Sequence, residues 1–143
     1  MDLQAESCSP AGRLPDELDI ARDRWERVRG CFPIELGAPA GCEWACATVR
    51  GGPCGNAGWY DNLVIMVAAG DGFARAGSIA LADHGPNSLG FTSKLWIERA
   101  HDEIVLVSHL MMDPRLGEAG RDHMQRRILV NGKLVERTNP LPR

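Results

Sequence analysis

Between residues 43 and 138 the chain alternates between short runs of β-forming residues and clusters of glycine, proline, asparagine and aspartate. The runs cover 43–50, 59–68, 73–82, 89–99, 103–112, 123–130 and 133–138, with connections of two to ten residues. Connections this short join antiparallel neighbours and leave no room for helical crossovers, so the pattern predicts a meander of about seven strands. Asn131-Gly132 is the clearest turn, because both residue types accept positive φ and a two-residue type I′ turn needs it twice. Ala100-His101-Asp102 predicts a second tight hairpin.

Ahead of the runs the periodicity is helical. Leu18, Ala21, Trp25 and Val28 fall on one stripe, and Pro15 suits a first helical turn. Asp16, Glu17 and Asp19 would face the positive end of the helix dipole. Arg22, Arg24, Arg27 and Arg29 would face the negative end, with Gly30 as the stop. The expectation is an amphipathic helix from Pro15 to Arg29, followed by an extended segment broken by Pro33, Gly37 and Pro39. Residues 1–13 read as a flexible leader, 14–138 as one domain and 139–143 as a tail.

Facial patterning sharpens the fold class. Along 103–112, Val105, Val107, His109 and Met111 share one face, while Ile104, Leu106, Ser108, Leu110 and Met112 share the other. Both faces are largely apolar, as they are along 59–68, and such a strand is covered on both sides. A mainly β (α+β) domain follows: an antiparallel meander closed into a barrel or strongly curved, with one N-terminal helix.

Composition bounds the function. The chain has 143 residues, 44% of them hydrophobic and 24% charged, which is ordinary for one globular domain. A formal charge of −3 argues against a general nucleic-acid binder or an anionic-membrane binder, although residues 121–143 carry a local excess of +4. No apolar run reaches the length of a membrane-spanning helix. Five cysteines, an odd number, and an acidic start without a hydrophobic leader predict a cytoplasmic protein with reduced thiols. Cys42, Cys46 and Cys54 lack the paired short spacings of zinc modules, so no metal site is expected. The phosphate-binding glycine motifs, the nucleophile elbow and the HExxH motif are all absent.

The C-terminal third, WIERAHDEIVLVSHLMM followed by RDHMQRRILV, resembles the small calycin-type barrels: lipocalins, fatty-acid-binding proteins and the nitrobindin-like group. The family's first-strand Gly-x-Trp has no counterpart here. The resemblance implies a ligand inside the barrel and, in its haem-binding branch, haem held by His123. The residues themselves call for no cofactor.

Candidate chemistry is sparse. His109 stands among apolar neighbours, as either a cavity residue or a core histidine bonded to a neighbour. Asp61 interrupts an apolar run, as either an acid–base group or a residue at the sheet rim. His123, Gln125, Arg127 and Leu129 share a mixed face that fits solvent or a polar lumen. Trp44, Trp59, Tyr60, Met66, Trp96 and Met111 suit the lining of an apolar cavity and equally the filling of a core. Two functions are expected from this set. The first is binding of an apolar or amphipathic small molecule, with Trp44, Trp59, Tyr60, Met66, Trp96, Met111, His123 and Arg127 as its contacts. The alternative is a cofactor-free isomerase, cyclase or dehydratase with Asp61 and His109 as acid and base. A homodimer joined through a doubly apolar strand is a further possibility.

Overall fold

A computed structural model describes residues 15–21, 23–37, 43–51, 59–83, 90–100, 103–112 and 123–137. Its elements are a short helix α1 (Glu17–Ile20) and eight strands: β1 (Glu26–Ile34), β2 (Glu43–Gly51), β3 (Trp59–Ala69), β4 (Gly72–Asp83), β5 (Gly90–Ala100), β6 (Glu103–Met112), β7 (His123–Val130) and β8 (Lys133–Glu136). All seven predicted runs are strands, and their bounds shift by at most two residues. The strands pair consecutively and antiparallel, in the order β1 to β8.

The N-terminal expectation is overturned. The helix keeps a single turn, and Ala21 is already extended at φ −73° and ψ 137°. Asp23 then organises a turn: its side chain accepts from the Trp25 N–H at 2.8 Å, its carbonyl accepts from Glu26 N–H at 3.2 Å, and Arg50 grips it through two hydrogen bonds. From Glu26 onward the chain is β1, paired with β2 along its length. A lone short helix is marginal in water, whereas β1 gains a ladder, a disulfide and buried contacts, so tertiary pairing overrides the local periodicity. Leu18, expected on the buried stripe, is 93% exposed, and Ile20 is buried instead. The eighth strand is this β1.

Among the described residues the sheet does not close into a barrel. There one residue pair, Ala82 with Phe91, joins β4 to β5, and the meander divides into two four-stranded sheets, β1–β4 and β5–β8. Their inner faces pack on one another. Ile34, Ala45, Leu63, Ile65, Val67, Ala76 and Ile79 of the first sheet, with Leu36 just beyond β1, meet Leu95 and Leu106 of the second. Gly77 permits the closest approach, since a Cβ there would lie 3.0 Å from Leu134 Cβ of β8. Across the end at which β6 and β8 begin, Glu35 pairs with Arg99 at 3.8 Å. The predicted type I′ turn is present, with Asn131 at φ 50° and Gly132 at φ 76°. Ala100 pairs with Glu103 as a tight hairpin requires, although residues 101 and 102 lie outside the described set.

A second, smaller core lies on the outer face of the first sheet. Ile20 of α1 covers Cys46, Val64 and Met66, with Val28, Cys31, Trp44 and Phe73 around them. Cys31 and Cys46 are directly opposed on β1 and β2 and form a disulfide, which corrects the expectation of reduced thiols. Two cysteines facing each other across a ladder are near neighbours whatever their spacing in sequence. Cys8, Cys42 and Cys54 lie outside the described residues, as do the leader at 1–13 and the tail at 139–143. Among the described residues, no helix is long and apolar enough to cross a membrane, and no three of His, Cys, Asp and Glu cluster as metal ligands.

Candidate functional site

Alternation along each strand assigns every side chain to a face, and the buried clusters tell inner from outer. In β6, Leu106 belongs to the inter-sheet core, so Ser108 shares its inner face while Val105, Val107 and His109 point outward. The β6–β7 register pairs Leu106 with Arg127 and Ser108 with Gln125, which carries both β7 side chains inward. The mixed face of β7 is therefore the interior one.

There Arg127 builds a polar corner in an apolar layer. Its Nη1 donates to Ser108 Oγ at 3.2 Å and its Nη2 to Gln125 Oε1 at 2.8 Å. Ser108 is fully buried and Arg127 half-buried. Burial pushes the guanidinium pKa below its ordinary value, and the Glu136 carboxylate opposes this more weakly. Glu136 is the cross-strand neighbour of Arg127 on β8. Asp61 lies on the inner face of the first sheet by the unbroken β2–β3 register, in line with Leu63 and Ile65. It stands near the beginning of β3, the end of the molecule at which β5 and β7 also begin.

The other expected site residues are scattered. His109 pairs with Lys94 and Met124 on the outer face of the second sheet, opposite in sense to Asp61 and on a different sheet. The two do not form an acid–base couple. Trp44 and Met66 belong to the outer core beneath α1, where Met66 is fully buried. The Trp44 indole N–H there is buried without a hydrogen-bond partner. Trp96 is on the outer face of the second sheet and donates to Glu98 Oε1 at 3.2 Å. Tyr60 is exposed near the start of β3. Trp59, Met111 and His123 take their places in β3, β6 and β7 by register, and their side chains lie outside the described set.

Of the expected set, only Asp61 and Arg127 are shown on inner faces. The centre of the inter-sheet layer is filled by Leu63, Ile65, Leu95 and Leu106, each at most 1% exposed, and a macrocycle such as haem does not fit among them. Ser108 escaped the sequence reading, although a hydroxyl within EIVLVSHLMM is itself a signal: a buried polar group needs a partner.

A different polar group lies under the N-terminal segment. Glu26, 2% exposed, accepts from Thr48 Oγ1 at 2.9 Å and from Arg75 Nη1 at 3.1 Å, and Arg75 also donates to the Ile20 carbonyl at 2.9 Å. Glu43, buried at the other end of the β1–β2 ladder and opposite Ile34 on the inner face, accepts from the Leu36 N–H at 2.6 Å. These carboxylates serve the fold by tying α1 and the β1–β2 connection to the sheet. Beside Glu26 is a surface cleft of about 480 Å³ lined by Glu17, Leu18, Ala21, Asp23, Arg24, Glu26 and Arg27.

Searches of family models, curated proteins and solved structures found no match to this chain.

Proposed function

We propose that this chain is a binding domain for a small amphipathic molecule, received between the two sheets beside β7. The observation that carries this reading is the polar corner of Ser108, Gln125 and Arg127 on the inner face of the second sheet, where a half-buried guanidinium is held by neutral acceptors. Burying a charge in a packed layer costs stability, and binding sites are where a few polar groups converge on an apolar wall. Leu129, partly exposed on the same face of β7, supplies that wall. The acid–base alternative has no comparable support, because Asp61 and His109 lie on opposite faces.

Two measurements test the reading together. Native mass spectrometry of freshly expressed protein should show a retained small molecule, or else N-phenyl-1-naphthylamine should gain fluorescence saturably on titration. A clean apo mass with no saturable fluorescence would end the proposal. The same spectra report oligomeric state, and a dimer without ligand would favour the interaction-domain reading instead.

A further inference from the structure

Five arginines in the described residues are half-buried: Arg50, Arg75, Arg126, Arg127 and Arg137. Four of them have a carboxylate within 4 Å: Asp23 for Arg50, Glu26 for Arg75, Glu98 for Arg126 and Glu103 for Arg137. Arg127 alone among these five has only neutral acceptors, Ser108 Oγ and Gln125 Oε1. This is not for want of a carboxylate nearby, since Glu136 is its direct cross-strand neighbour. The guanidinium is instead turned along its own sheet face toward β6, held by one hydrogen bond on each terminal nitrogen.

We infer that Arg127 is the anchor for an anionic head group, and that the molecule taken up is an amphipathic organic anion of the carboxylate or sulfonate type. This rests on the binding reading above and names the ligand class for the same site. The chemistry follows from the guanidinium. Its planar fork pairs with a carboxylate or sulfonate through two N–H donors at once, and charge-assisted bonds gain strength where water is partly excluded. Ser108 and Gln125 fix the plane of the fork, so little rotamer freedom remains to be lost when an anion arrives. An unbalanced, partly desolvated cation also disfavours a cationic guest. The apolar part of the ligand would lie along the partly exposed Leu129.

The test uses two probes that share one aromatic frame. 1-Anilinonaphthalene-8-sulfonate carries an anionic group, and N-phenyl-1-naphthylamine lacks it. By fluorescence titration the wild-type chain should prefer the sulfonate by about tenfold, the value of one charge-assisted contact. Arg127→Met should abolish that preference while binding of the neutral probe persists, which also shows that the variant is folded. Arg127→Lys should keep part of the preference, and Glu136→Gln should increase it. Arg29→Met, on the exposed side of β1, should change neither probe. Equal affinity of the wild type for both probes, or an unchanged preference in Arg127→Met, overturns the inference and leaves the binding reading standing. Failure of both probes to bind the wild type overturns both.

Discussion

Two charged groups withdrawn from water, Glu26 on the first sheet and Arg127 on the second, are treated in opposite ways. Beneath α1 on the first sheet, Glu26 is almost fully buried, and Arg75 and Thr48 each donate to one of its oxygens. Between the sheets, Arg127 is half-buried with a serine and a glutamine for company. A balanced buried pair is what a fold needs in order to hold a segment in one place, and here it holds the N-terminal turn. An unbalanced charge contributes little to the fold and is suited to meeting a charge from outside. Arg75 thus serves structure on the first sheet, whereas recognition is the role proposed for Arg127 on the second, and the partner distinguishes them.

The largest effect should come from breaking the balanced pair. Glu26→Ala leaves Arg75 and Thr48 without their acceptor and should cost about 3–4 kcal/mol in a urea unfolding series. Replacing Glu26 and Arg75 together by apolar residues should recover most of that loss. Recovery of none would show that the network acts through something other than charge balance.

Opening the Cys31–Cys46 disulfide comes next. It links residues 15 apart in sequence, and loop closure of that length is worth about 3 kcal/mol. The Cys31→Ser/Cys46→Ser variant should unfold at correspondingly lower urea, and a reductant should then shift the wild type but not the variant.

A smaller effect belongs to the contact between the sheets. Gly77→Val places its Cβ 3.0 Å from Leu134 Cβ and should cost about 2 kcal/mol by overpacking, with partial relief in Gly77→Val/Leu134→Ala.

The smallest should be Arg127→Met. Arg127 has a depressed pKa in the folded chain, so folding disfavours its charged form, and it costs stability over the whole range below that pKa in which it is charged. Its loss should leave the unfolding free energy within about 1 kcal/mol of the wild type. A fall as large as that expected of Glu26→Ala would erase the distinction between the two sheets and make Arg127 a structural residue.

Much of this was legible in the chain itself. Strand bounds follow from β-forming runs and from turn residues whose preferences are local, so Asn131-Gly132 and the run 103–112 read correctly without any tertiary information. The inward face of β7 was legible as a group, because residues two apart on a strand share a side. Which way that face pointed was not, since solvent and a lumen both accept Gln and Arg. Ser108 went unnoticed for the same reason: its significance depends on Arg127, which is 19 residues away and adjacent only through the β6–β7 register.

By itself, then, the sequence determined an antiparallel meander with its turns and the two-faced character of its central strands, because alternation and turn chemistry act over a few residues. Only the tertiary structure decided that residues 26–29 extend rather than coil, that Cys31 meets Cys46, that Asp61 and His109 part company, and that the meander folds into two packed sheets. Each of these turns on which strand lies beside which, and pairing energy gathered over a whole ladder outweighs the few tenths of a kcal/mol by which local propensities differ.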